Sequence, residues 1–247
     1  MRVAVISDIH ANQEALEVVL QGVDRLGADR TVSLGDLVGY NASPNECVRT
    51  VREREIPTLM GNHDAVACGI EEPVDFNPIA RTAALWTRST LTPEHREFLA
   101  GQPEQRRLSE TVLLVHGSML HRDHYLFSRE DMMKNIRRMR SSEPGIRVVL
   151  FGHTHHQVAV AWNADDNSLS AVPGPRITLT EGLLYLINPG SVGQPRDHDP
   201  RSAFLMIDED RQSVEFIRLP YDVRACAERI LAAGLPTELA DRLYQGW

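Results

Sequence analysis

The chain has 247 residues, of which 42% are hydrophobic and 24% are charged, and its formal net charge is −8. This composition is typical of a soluble globular protein with a sizeable core. An acidic balance argues against stable nucleic-acid binding, which depends on clustered Lys and Arg to neutralise phosphates. The three cysteines are scattered and odd in number, so they do not form a disulfide framework and indicate a reducing compartment.

No apolar run approaches the roughly 18 residues that a transmembrane helix needs. The first stretch, MRVAVISD, reaches an aspartate too soon for a signal peptide. We therefore expect a cytoplasmic protein without membrane association.

Short apolar runs alternate with amphipathic stretches along the first 60 residues. The predicted elements there are, in chain order, a strand at 2–7, a helix at 13–27, a strand at 31–34, a helix at 43–55 and a strand at 57–60. The second helix has Ser43 at its N-cap, Pro44 at its first position and Glu46 completing a capping box. This alternation indicates an α/β fold with a partly parallel sheet.

The sequence after residue 60 predicts further helices and strands, and from residue 157 it predicts mainly strands. Its elements are helices after Asn77-Pro78 and Thr92-Pro93, a strand at 111–115, a helix at 128–141 and a strand at 147–151. From residue 157, four strand patterns follow one another, which predicts a second, mostly antiparallel sheet, and two helices end the chain. We expect one domain, residues 1–247, built on two packed sheets.

Five of the apolar runs end in short polar sequences. These are D-I-H at 8–10, G-D at 35–36, G-N-H-D at 61–64, H-G at 116–117 and G-H-T-H at 152–155. One such ending alone is explained as a turn, a helix cap or a surface histidine. Five endings in one chain indicate a shared site, because ligands bind at the carboxyl ends of strands in open α/β sheets.

The side chains at these endings are of metal-ligand types. The candidate ligands are Asp8, His10, Asp36, Asn62, His116, His153 and His155. Carboxylate and imidazole without thiolate suit Mn, Fe, Co, Ni or Zn better than Mg or Ca. Seven ligands exceed the need of one tetrahedral metal and suit two metals that share a carboxylate. We expect two divalent ions, with manganese as the first choice.

The motif series resembles the calcineurin-like metallophosphoesterase superfamily, in the family's order, from residue 8 to 155. The stretch YLINPGSVGQPRD at 185–197 is similar to the small bacterial and archaeal members, and DIHAN to the group related to diadenosine tetraphosphatases. The resemblance implies a single metallophosphoesterase domain. Its fold class would be α/β, a four-layer α-β-β-α sandwich of two packed mixed sheets with helices on both outer faces.

The resemblance also implies roles for the site residues. One metal would be held by Asp8, His10, Asp36 and His155, and the other by Asp36, Asn62, His116 and His153, with Asp36 bridging. His63 would contact the phosphate and protonate the leaving oxygen, and Asp64 would orient His63. Asn62 would also contact substrate, whereas His156 matches no family ligand.

The sequence leaves two interpretations for several residues near the site. Arg196 is either a phosphate clamp, as we expect, or a surface turn arginine. The residues just beyond His116 either line the substrate pocket or form a solvated loop; they are His121, Asp123, His124 and Tyr125. The stretch GDLVGYN lacks the arginine that follows the G-D motif in phosphoprotein phosphatases and symmetrical diadenosine tetraphosphate hydrolases, which favours small esters over phosphoproteins.

The leading hypothesis is a hydrolase of small or nucleotide-like phosphate monoesters or diesters. A metal-bridging hydroxide would attack phosphorus, and His63 would protonate the departing alcohol. The alternative is a non-catalytic scaffold on the same fold, as in one retromer subunit that resembles this superfamily. A Rossmann oxidoreductase is disfavoured because no G-x-G-x-x-G follows the first strand.

Overall fold

A computed structural model describes all 247 residues. The helices, in chain order, are α1 (Gln13–Leu26), α2 (Pro44–Glu53), α3 (Asn62–Cys68), α4 (Pro78–Thr90), α5 (Pro93–Ala100), α6 (Arg129–Ser142), α7 (Val223–Ala232) and α8 (Thr237–Gln245). The strands are β1 (Arg2–Ile6), β2 (Arg30–Ser33), β3 (Gln105–Arg107), β4 (Val112–Val115), β5 (Val148–Leu150), β6 (Gln157–Asn163), β7 (Ser168–Ala171), β8 (Arg176–Thr178), β9 (Leu183–Pro189), β10 (Ser202–Asp208) and β11 (Ser213–Leu219). None of the helices has the length and apolar content that crossing a bilayer requires.

The strands form two mixed sheets, as the resemblance implied. The first has the order β2-β1-β10-β11-β8 and the second the order β3-β4-β5-β9-β6-β7. The expectation that the strands after residue 157 form a separate, mostly antiparallel sheet is wrong. Strands β10 and β11 extend the sheet of β1, whereas β6 and β9 extend the sheet of β4 and β5. Apolar patterning reports which strand faces are buried, and it does not specify the neighbouring strand.

The alternation of side chains along β1 shows how the layers arise. Val3 and Val5 pack into the core between the two sheets, while Ala4 and Ile6 pack on the outer face, against α1 and α2. Successive side chains of a strand point to opposite faces, so one strand serves two cores. Helix α6 covers the outer face of the second sheet. The four-layer α-β-β-α sandwich is therefore confirmed.

Two local predictions near the first sheet differ from the structure. Residues 57–60 form a single β-bridge, between Ser33 and Thr58, rather than a strand. Pro57 has no N–H to donate to a ladder, which limits pairing at this point. Ser43 does occupy the N-cap of α2, but its side chain makes no capping hydrogen bond, so the predicted capping box with Glu46 is absent.

The parallel strand pairs align the polar turns at one edge. Strands β1 and β2 are parallel in the first sheet, and β4 and β5 are parallel in the second. The turns after these four strands carry Asp8, Asp36, His116 and His153 respectively. Asp36 lies 3.4 Å from His116, and Asp8 lies 3.2 Å from the backbone N–H of His153, so all four turns lie at the same end of the sandwich.

Candidate metal centre

The seven candidate ligands meet in one buried cluster. Each of them exposes 7% or less of its surface, and five of them expose 1% or less. Ligand atoms lie within 4.8 Å of one another in the group Asp8, His10 and His155, and again in the group Asp36, His116 and His153. Asn62 adjoins the second group, because its Oδ1 lies 3.3 Å from His116 Nε2.

Asp36 lies between the two groups. Its Oδ2 is 3.5 Å from His10 Nε2 and 3.4 Å from His116 Nε2, so one oxygen faces a histidine of each group. Its Oδ1 accepts a hydrogen bond of 2.9 Å from the backbone N–H of His63. The carboxylate is thus fixed through Oδ1, while Oδ2 faces a histidine of each group.

Backbone carbonyls set the tautomers of three of the histidines. The pairs are His10 Nδ1 with Val38 O (3.0 Å), His116 Nδ1 with Leu34 O (2.9 Å) and His155 Nδ1 with Gln194 O (2.5 Å). A carbonyl only accepts, so each Nδ1 carries a proton, and Nε2 is the atom that presents a lone pair to the site when the ring is neutral. The Nε2 atoms of His10 and His155 are 3.0 Å apart. Two lone pairs at this distance require a positive charge near them, which fits a cation.

His153 presents the opposite nitrogen. Its Nε2 lies 3.1 Å from the backbone carbonyl of Asp123, which leaves Nδ1 as its ligand atom. Its backbone N–H donates to both carboxylate oxygens of Asp8, at 3.2 and 3.1 Å, and the hydroxyl of Ser7 donates to Asp8 Oδ2 at 2.6 Å. These bonds orient the carboxylate of Asp8 toward the first group.

Left-handed backbone conformations aim several of these side chains. Asp8, His10, Asp36, His153 and His155 have φ angles of 54°, 48°, 52°, 63° and 60°. Such angles are costly for residues other than glycine and concentrate at functional sites. The sequence shows no signal for them, because the residues concerned are not glycines.

Burial dominates the electrostatics of the cluster. It lowers the pKa of four histidines: to about 4 in His63, to about 3 in His153, and well below the usual value in His10 and His155. Burial also lowers the pKa of His116, but the Asp36 carboxylate outweighs it and raises that pKa to about 9. Most of the imidazoles are therefore neutral at pH 7, which is the form that binds metals.

The turn that begins α3 positions His63. The carboxylate of Asp64 accepts hydrogen bonds from the backbone N–H groups of Gly61 (3.1 Å) and Val38 (3.2 Å). It makes no hydrogen bond to the ring of His63, whose buried Nδ1 has no hydrogen-bond partner. The implied orientation of His63 by Asp64 thus acts only through the backbone of this turn.

The ring of His63 is held by aromatic neighbours that the sequence did not single out. Its centroid lies 4.3 Å from that of Tyr40 and 4.7 Å from that of Phe76. Tyr40 also packs edge-on against His10, with 4.7 Å between centroids. Tyr40 and Phe76 are therefore the side chains that pack on the ring of His63, whereas Asp64 holds the backbone of its turn.

A pocket of about 310 Å³ opens beside the cluster. Its lining residues are Tyr40, Asn62, His63, Asp75, Phe76, Asn77, Ala80, His121, Asp123, Tyr125 and His153. Three of the residues left open from the sequence, His121, Asp123 and Tyr125, are thus pocket residues. His124 points away, toward Asp131 at 3.4 Å. His156, which matches no family ligand, has its Nδ1 against the carbonyl of Thr154 at 2.6 Å.

Arg196 lies against the cluster and is not a solvated turn residue. Its Nη2 donates to Gln194 Oε1 at 3.0 Å, and its guanidinium carbon is 5.4 Å from the centroid of Tyr40. Its Nε is buried and has no hydrogen-bond partner. A positive charge with an unused donor beside the centre is suited to an anionic ligand.

The layered fold and this cluster of imidazoles and carboxylates define a metal-dependent phosphoesterase. The chain belongs to the calcineurin-like phosphoesterase superfamily, whose domain model matches residues 1–211. It is 34% identical over 247 residues to an uncharacterized protein of Methanocaldococcus jannaschii, covering 99% of this chain and 98% of that protein.

Two crystal structures are similar over the whole chain. A metallophosphoesterase from Sphaerobacter thermophilus is 35% identical, with a TM-score of 0.84 and 100% of both chains covered. A hypothetical protein from Pyrococcus horikoshii is 19% identical, with a TM-score of 0.81, covering 100% of this chain and 98% of that one. The second of these likenesses concerns the fold alone.

Gly39 provides a test of how tightly His63 is positioned. Gly39 has φ of +92°, and a Cβ there would lie 2.4 Å from His63 Nδ1. Gly69 has a similar φ of +87°, but a Cβ there would meet no atom within 4 Å. We expect Gly39→Ala and Gly69→Ala each to lose about 1 kcal/mol from backbone strain. Only Gly39→Ala should displace His63 and lower phosphoesterase activity, by about 100-fold.

The measurements are thermal unfolding and kcat/KM on p-nitrophenyl phosphate for both variants. Equal activity of Gly39→Ala and Gly69→Ala would show that the ring of His63 does not need its present position.

Proposed function

We propose that the protein hydrolyses small phosphate esters with two divalent metal ions bound per chain. Asp8, His10, Asp36 and His155 would hold one ion, and Asp36, Asn62, His116 and His153 the other. The observation that carries this proposal is the position of Asp36 Oδ2, within 3.5 Å of a histidine from each group. Manganese is the first choice, and Fe, Zn, Co or Ni are alternatives for the same ligands.

Two divalent ions in such a centre supply charge that activates water near neutral pH and stabilises a phosphoryl group in transfer. The chain's own residues supply the rest. Asn62 and His63 stand together at the start of α3, where the pocket meets the cluster, and are suited to hold the ester phosphate. Arg196, with its unused donor, would hold a further phosphate oxygen.

His63 is proposed as the acid that protonates the leaving oxygen. In the protein alone, burial lowers its pKa to about 4, so it is neutral at pH 7. A bound phosphate brings negative charge next to the ring, and negative charge raises the pKa of an imidazole. We therefore expect His63 to become a proton donor only in the substrate complex.

The segment after Asp36 supports a preference for small esters. This segment has Gly39, Tyr40 and Asn41 and no arginine, and the ring of Tyr40 packs on His10 and His63. Asn41 donates to the backbone carbonyl of His10 at 2.7 Å. Both residues support the cluster and neither offers a charge to a phosphoprotein. The complete ligand set also argues against a non-catalytic scaffold, which needs no such buried donors.

Metal content tests the dinuclear proposal. We expect protein reconstituted with Mn to hold two ions per chain and to hydrolyse p-nitrophenyl phosphate or bis(p-nitrophenyl) phosphate. Removal of the metal with a chelator should abolish turnover, and Mn should restore it. Elemental analysis alongside turnover provides the check. A stoichiometry of one ion in fully active protein would contradict the assignment of two.

A further inference from the structure

The pocket beside the metal centre has an aromatic lining of its own. Phe76 is half-buried and lies 4.7 Å, between ring centroids, from His63. Tyr125 stacks on His153, with 3.9 Å between centroids and an angle of 26° between the rings. The two aromatic side chains therefore adjoin the cluster at two different histidines, and both line the same pocket.

The side chain of Tyr125 is exposed but packs against two other rings. It exposes 41% of its surface, yet it stacks on His153 on the inner side and on Phe127, at 5.4 Å between centroids. A large apolar side chain that is both exposed and held in place forms a preformed wall, which reduces the ordering cost of binding. Aromatic rings bind other rings face-on or edge-on, so such a wall favours a flat ring.

The side chains that line the pocket carry negative and not positive charge, and Arg196 lies behind the ring of Tyr40. No lysine or arginine is among its lining residues, whereas the carboxylates of Asp75 and Asp123 are. Its volume of about 310 Å³ lies at the lower end of the roughly 300–1,000 Å³ typical of small-molecule sites. The pocket thus suits one uncharged group of about the size of a nucleoside.

We propose that this pocket binds a flat aromatic ring on the organic part of the ester, such as a nucleobase, with Phe76 and Tyr125 as the residues that select it. The proposal rests on the proposed function, because the phosphate of the same molecule would lie at the metal centre. Phe76 adjoins His63, which is proposed to contact the phosphate. The bound aromatic ring would therefore belong to an organic group that is attached to that phosphate. If ring contacts select the substrate, the enzyme should prefer esters that carry an aromatic ring over esters of sugars or alkyl alcohols.

Adenosine 5′-monophosphate and ribose 5-phosphate form the matched probe, since they differ only in the base. We expect the Mn-loaded enzyme to show a kcat/KM at least about tenfold higher for the nucleotide, the size of effect that base stacking gives. In Phe76→Leu and Tyr125→Leu this ratio should fall toward one. Tyr244→Leu is the matched control, because Tyr244 is also exposed, at 53%, and lies on α8 outside the pocket.

Binding of adenosine itself separates this proposal from the proposed function. Calorimetric titration should detect adenosine binding to wild-type protein and to Tyr244→Leu, with clear weakening in Phe76→Leu. Adenosine binding that depends on Phe76, in a protein that hydrolyses no ester, would support the pocket and overturn the proposed function. Hydrolysis of p-nitrophenyl phosphate, with no adenosine binding and a ratio near one, would overturn the pocket alone.

Discussion

Asp36→Asn is expected to leave one metal ion or fewer per chain and to lower turnover by at least about 10³-fold, because metal-ion catalysis supplies several kcal/mol. The reason is that Asp36 Oδ2 faces His10 on one side and His116 on the other. An amide has one oxygen, so if that oxygen keeps the bond from His63, the position between the two groups holds an –NH₂ that offers no lone pair to a cation. The amide still offers an oxygen to the backbone N–H of His63, so the turn should keep its shape.

Asp64→Asn is the matched control for this prediction. Asp64 is buried like Asp36, but its carboxylate binds only the backbone N–H groups of Gly61 and Val38. We expect Asp64→Asn to retain both ions while losing stability, since an amide N–H₂ opposes one of the two donors. Two bound ions and normal turnover in Asp36→Asn would show that Asp36 does not bridge.

The cluster of candidate ligands was predictable from the sequence because its residue types follow apolar strands. Each of the seven follows a short apolar run, and the structure brings all seven together in one buried cluster. Parallel strands align their carboxyl ends, so residues far apart in sequence meet at one edge. The order of strands in the sheets was not accessible, because β10 and β11 have the same apolar pattern as strands that join the other sheet.

The surroundings of the cluster were predicted less well than the clustering of its seven residues. Tyr40 and Phe76 are single aromatic residues in irregular segments, with no spacing that marks them as neighbours of His63. The left-handed backbone at His153 and His155 is likewise invisible in the sequence, as are the carbonyls of Asp123 and Gln194 that decide which nitrogen each ring presents. Such features depend on tertiary packing, and periodicity carries information about burial only.

His63→Ala is expected to keep both metal ions while losing most activity on alkyl esters. The backbone N–H of residue 63 donates a hydrogen bond of 2.9 Å to Asp36, and alanine at this position would donate the same bond. General acid catalysis contributes roughly 10²–10⁴-fold, and it matters most when the leaving alcohol is poor. A p-nitrophenyl group departs without much help, so the loss on its esters should be much smaller.

The ring of His63 fills space between Tyr40 and Phe76, so its removal also leaves a cavity. His63→Gln provides a second variant that keeps more of the volume and cannot act as an acid. The measurement is the ratio of variant to wild-type kcat on methyl phosphate and on p-nitrophenyl phosphate, together with metal content. Equal losses on both esters in both variants would make His63 a phosphate-binding residue and not the acid. Loss of metal in both variants would instead indicate that the ring of His63 is itself a metal ligand. A ring nitrogen of His63 does lie within 4.8 Å of ligand atoms of His10 and Asp36.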